Sequence, residues 1–118
     1  MSILQTVYDT LSGDAGVTAI VGSKIYPVLA PEDTDSPFVT YIKTSATPEN
    51  ILKGSATISQ ASVLISCYHT SVLSVNSLAQ DVITAFDGIG YVEFERDTYE
   101  SSTKLYSTKI SISIHYGA

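Results

Sequence analysis

Thr103-Lys104-Leu105-Tyr106-Ser107-Thr108-Lys109-Ile110-Ser111-Ile112-Ser113-Ile114-His115-Tyr116 alternates more strictly than any other stretch of the chain. Successive side chains of a strand point to opposite faces. Tyr106, Thr108, Ile110, Ile112, Ile114 and Tyr116 therefore share one face, and Ser107, Lys109, Ser111, Ser113 and His115 the other. The first face is core; the second is wet or meets a partner. The polar turn Glu100-Ser101-Ser102 leads back to another strand, roughly Tyr91 to Tyr99. There Val92 and Phe94 are expected on one side, and Tyr91, Glu93, Glu95 and Asp97 on the other, where the three carboxylates form an acidic ladder.

Upstream, Val72, Val75, Leu78, Ala79, Val82, Ile83 and Phe86 recur at helical spacing, which predicts a helix from about Ser71 to Phe86, stopped by Asp87-Gly88-Ile89-Gly90. Before it, Ala56 to His69 reads as a long central strand with small apolar Ala61, Val63, Ile65 and Cys67 on one side. Pro37 to Thr44 reads as a further strand, and Ser45 to Gly54 as a ten-residue connection. Val28 to Ser36, with Pro31, Glu32, Asp33 and Asp35, reads as an acidic loop after a brief strand at Lys24-Ile25-Tyr26-Pro27. The chain opens on an amphipathic stripe, Ile3, Leu4, Val7, Tyr8 and Leu11. Asp14 then caps a short helical turn through Val17, Ile20 and Val21, which Gly22 ends. The order implies an α+β domain with a largely antiparallel sheet of about four to five strands and two helices packed on one face.

At 118 residues the chain is expected to form a single domain, residues 1 to 118. Charged residues are only 15% of it, against roughly 25% in typical soluble domains. Seventeen Ser, thirteen Thr and eight Tyr take their place. Interface centres are likewise poor in charge and rich in Tyr, so the composition suits a surface that partners cover. The net charge is −6, and Lys24, Lys43, Lys53, Arg96, Lys104 and Lys109 are scattered singly. Specific nucleic-acid binding needs clustered cations and is disfavoured. The lone Cys67 excludes an internal disulfide framework. No apolar run has membrane-spanning length and the first residues lack a basic leader, so a soluble, intracellularly made protein is expected, without a membrane partner.

Catalytic constellations fail one by one. Cys67 and His69 share a strand face, but a zinc site needs three or four ligands and no second pair exists. A core thiol beside a strand-end histidine is the better reading. Gly16 to Lys24 superficially resembles a phosphate loop, yet its spacing is one residue too long and Ser23 precedes Lys24 rather than following it. Glu93, Glu95 and Asp97 offer oxygen ligands about 7 Å apart along a strand, though a solvated strand face is the better reading. No cofactor, no metal site and no enzymatic activity are expected.

Taken in order, several segments resemble the tail completion or tail-terminator-like proteins of long-tailed bacteriophages. They are the opening helix, Val17 to Gly22 running into Lys24-Ile25-Tyr26-Pro27, and the Pro31 loop before Ser36-Pro37-Phe38-Val39. To these are added Ser66-Cys67-Tyr68-His69 before the long helix, and the Tyr-rich closing strands. The match rests on length, order and texture, with no single diagnostic motif. The resemblance implies a structural protein of the virion, assembled in the host cytoplasm and seated at the head-proximal end of the tail. There it would form a ring, commonly a hexamer, that caps the tail tube, ends its polymerisation and offers a joining surface to a head-completion or connector protein. DNA would pass through without specific binding, and Glu93, Glu95 and Asp97 are the candidates for lining the lumen. Pro31, Glu32, Asp33 and Asp35 in one loop, and Pro48, Glu49, Asn50 and Lys53 in the other, are the candidate contacts with subunits and partners. A head-tail connector or minor tail protein of the same particle is the alternative, and a small-ligand-binding α+β domain a more distant one.

Overall fold

Hydrophobic periodicity and turn chemistry place eight elements in the computed structural model, which describes residues 3–28, 35–50, 57–101 and 104–117. In chain order they are α1 (Ile3–Ser12), α2 (Ala15–Val21), β1 (Ile25–Pro27), β2 (Phe38–Asn50), β3 (Thr57–His69), α3 (Val72–Ala85), β4 (Gly90–Glu100) and β5 (Leu105–Gly117). The sheet order is β1-β2-β3-β5-β4. The short β1 runs parallel to β2, and every other neighbouring pair is antiparallel. Pro27 sits on the edge strand, where a missing N–H donor costs no interior hydrogen bond.

The core forms between the helices and one face of this sheet. Val7, Leu11, Val17, Val21, Val75, Leu78, Ala79, Val82 and Phe86 meet Val39 and Tyr41 of β2, Ala61 to Cys67 at odd positions of β3, and Ile110, Ile112 and Ile114 of β5. Each fully buried branched side chain contributes roughly 1.5–3 kcal/mol relative to exposure. The expected second turn is the complete helix α2. Asp14 Oδ2 accepts the Val17 N–H at 3.0 Å, and Gly22, at φ +63°, donates its own N–H to Thr18 O at 2.8 Å. The phosphate-loop-like run is thus a capped helix whose Val17 and Val21 lie in the core. The fold therefore has three helices instead of two, with α2 packed against α1 and α3.

Two local readings of the sequence are corrected. Residues 45–50 are not a connection: Ser45 to Asn50 continue β2, with Pro48 opposite Ser59, Glu49 opposite Ile58 and Asn50 opposite Thr57. Their polar, proline-containing sequence resembles a loop because ladder pairing to β3 is made by the backbone, whatever the side chain. Beyond Tyr41 β1 has ended, so among the described residues Pro48 lies on an edge. The second correction concerns β4. Val92 pairs with Ile112 but Phe94 with Ser111, so Glu93 is the extra residue of a β-bulge. The bulge reverses the alternation, and Val92 and Phe94 end on opposite faces.

The face away from the helices is drier than expected. Thr40, Ser66, Ser107, Ser111 and Ser113 are all buried there. They are small side chains lying among large ones: Phe38 stacks on Tyr68 at 4.6 Å, and Lys109 Nζ reaches 5.4 Å from the Tyr68 ring. The hydroxyls are satisfied locally, as where those of Thr98 and Ser107 hydrogen-bond each other.

Candidate functional site

The strand edges, not a pocket, hold the groups that remain to be explained. A shallow depression lined by Ile20, His69, Ser74 and Ser77 holds one imidazole and two hydroxyls, with no carboxylate to orient them. Cys67 is fully buried, and desolvation, with a smaller contribution from Glu95, pushes its thiol up to about 12. A thiol so protonated is a packing group at neutral pH. His69 Nδ1 accepts the Thr70 N–H at 2.8 Å, a local strand-end contact. Among the described residues no group of three metal-binding side chains converges.

β4 is different, because every residue from Tyr91 to Asp97 is exposed. Direct pairing puts Glu95 opposite Ile110 and Asp97 opposite Thr108, on the helical side of the sheet. Asp97 Oδ1 accepts the Thr108 hydroxyl at 2.7 Å, and the same hydroxyl lies 3.3 Å from Asn76 Oδ1 of α3. Glu93 instead accepts the Ser111 hydroxyl at 2.9 Å, on the opposite face, in the company of Phe94 and Arg96. Arg96 stands over the Phe94 ring at 5.6 Å. The three carboxylates thus do not form a ladder on one face. The bulge sends Glu93 one way and Glu95 and Asp97 the other.

Of the expected contact residues, Asp35 is exposed, and its carbonyl accepts Lys24 Nζ at 3.0 Å. Pro48, Glu49 and Asn50 belong to the far end of β2. Pro31, Glu32, Asp33 and Lys53 lie outside the described residues. Unforeseen in the sequence are exposed apolar groups beside the acidic edge, Tyr91 (55% exposed) and Phe94 (47%). Their signal in the sequence is Tyr91, Val92 and Phe94 interleaved with the carboxylates of one strand.

A family model, tail completion protein gp17, matches residues 5–117. The chain belongs to the gp17 tail completion family. It is accordingly a structural phage tail protein and a virion component. No curated protein matches it by sequence. Among solved structures it is similar to a chain from one described as the virion of a native gene transfer agent (GTA) particle, with 12% identity and a TM-score of 0.71. That alignment covers 95% of this chain and 92% of the other, so the tail completion fold is shared over nearly its whole length.

Proposed function

We propose that this tail completion protein forms a ring, commonly of six copies, on the head-proximal end of the tail tube, ends tube polymerisation and presents the surface that joins the head-completion or connector protein. Membership of the tail completion family carries the reading. The long exposed edge strand β4 supports it, because a cyclic ring joins different patches of successive protomers and needs them to be accessible. The acid-lined lumen enters in narrowed form. Glu93, on the face away from the helices, is the lumen carboxylate that repels passing DNA, while Glu95 and Asp97 serve elsewhere. Asp35, Pro48, Glu49 and Asn50 are contacts with neighbouring subunits or the tube.

Negative-stain imaging of the purified protein, alone and with tube protein, tests the ring: closed rings on tube ends are expected, and tubes with bare ends would refute it. Particles assembled without this protein separate the two roles. Overlong tubes mean a terminator, whereas tails of correct length that fail to join heads mean a connector.

A further inference from the structure

The sheet exposes two unpaired edges of comparable length. On one side, residues 92–99 of β4 have no strand beyond them; on the other, β2 is covered by β1 only as far as Tyr41, leaving residues 42–50 uncovered among the described residues. Exposed edges invite indiscriminate pairing, and charges and bulges are the usual protection. Both devices occur here, on β4 as Glu93, Glu95 and Asp97 with a bulge at Glu93, and on β2 as Lys43 with a bulge between Lys43 and Ser45. The two edges differ in charge: residues 42–48 carry Lys43 alone, with Glu49 just beyond them, whereas residues 92–99 carry Glu93, Glu95 and Asp97 against Arg96.

Side-chain direction matches as well. Lys43 pairs with Val63, and Val63 faces the helices, so Lys43 projects on the same side of the sheet as Glu95 and Asp97. Neither Lys43 nor Glu95 has an ion-pair partner among the described residues. β2, β3, β5 and β4 are joined by three antiparallel steps, so β4 runs opposite to β2. A second copy rotated about an axis along the strands therefore brings its β2 antiparallel to this β4, the stronger of the two ladder types.

We propose that residues 90–96 of β4 pair antiparallel with residues 42–48 of β2 in the next copy, with Lys43 of that copy opposite Glu95, so that one sheet runs through successive protomers. The ladder spans about seven residues, roughly 23 Å. Lys43 is then opposite one carboxylate and diagonal to Asp97, and on the other face Ile42 comes diagonal to Phe94. β1 ends at the point where this ladder begins. The inference rests on the ring reading and specifies how the ring is joined.

The test uses the full chain carrying Lys43→Cys and Glu95→Cys. Residues directly opposite in an antiparallel pair have the Cα separation a disulfide requires, and buried Cys67 does not compete. Mild oxidation is expected to give a ladder of covalent oligomers, where either single variant stops at dimers. Independently, Lys43→Glu or Glu95→Lys should weaken self-association about fivefold in sedimentation, and the two together should restore it. Imaged rings without cross-linking overturn the edge pairing and leave the ring standing. Cross-linked open chains that never close support the pairing and overturn the ring. Absence of both self-association and cross-linking, alone and with tube protein, overturns both.

Discussion

β4 and β5 are hydrogen-bonded neighbours, yet one lies almost wholly in water and the other almost wholly out of it. From Ser107 to Ile114 β5 is buried on both faces apart from the half-buried Lys109. Its isoleucines meet the helices, and its serines are small enough to disappear between larger neighbours. Among the described residues β4 has no strand on its far side, and it offers carboxylates and aromatic rings. Strand propensity is similar in the two, so position in the sheet, and not intrinsic preference, separates a stabilising strand from an interactive one.

The sharpest way to break this comparison is at the paired residues Ile112 and Val92. Ile112→Ala should cost about 3 kcal/mol in urea unfolding, because it empties a fully buried site. Val92→Ala, directly opposite but 37% exposed, should cost under about 1 kcal/mol. Equal losses would mean that β4 is as structural as β5.

Next in size is the pH response of Cys67, which lies opposite Thr108 on the strand beside β5. The folded thiol sits near 12 against an ordinary 9.0. Above pH 9 the unfolded chain loses this proton while the folded one keeps it, so stability is full below pH 9 and falls as pH rises toward 12. Cys67→Ala should flatten that part of a stability profile, and thiol reagents at pH 8 should label the wild-type chain only in denaturant.

Gly90→Ala probes a close approach of β4 to β5, since a Cβ there would collide with the Ser113 carbonyl. A loss of about 1–3 kcal/mol in thermal or urea unfolding is expected. Thr108→Val removes the donor to Asp97 while keeping shape, and should cost about 1 kcal/mol by the same measurement. Glu93→Gln, whose amide oxygen still accepts from Ser111, should change stability by less than about 0.5 kcal/mol.

The strands and helices were legible where burial imposes a period. Ile110, Ile112 and Ile114 announced β5, the Val75 to Phe86 spacing announced α3, and Asp14 and Gly22 marked both ends of α2, all through side chains that act locally. Glu93 was misplaced because a bulge adds one residue without altering the kinds of residue around it. Residues 45–50 resemble a loop in sequence because their pairing is a backbone property with no side-chain signature. The acidic edge was visible as composition, but its division between two faces depended on register. Lys43 carried no signal until β1 was seen to end at Pro27, exposing the strand on which it stands.

The sheet order has a temporal consequence. β5 lies between β3 and β4 but follows both in the chain, with α3 and β4 intervening after β3. During synthesis β3 and β4 must wait, each with an uncovered side, until β5 emerges and slides between them. The helices can form early, yet Val75, Leu78 and Val82 have only part of their floor until the isoleucines arrive. Such non-local closure is slow compared with local hairpins and leaves strand edges open meanwhile. A nascent chain halted before Leu105 is therefore the state most in need of a chaperone, and completion of β5 is the step that commits the protomer to its fold.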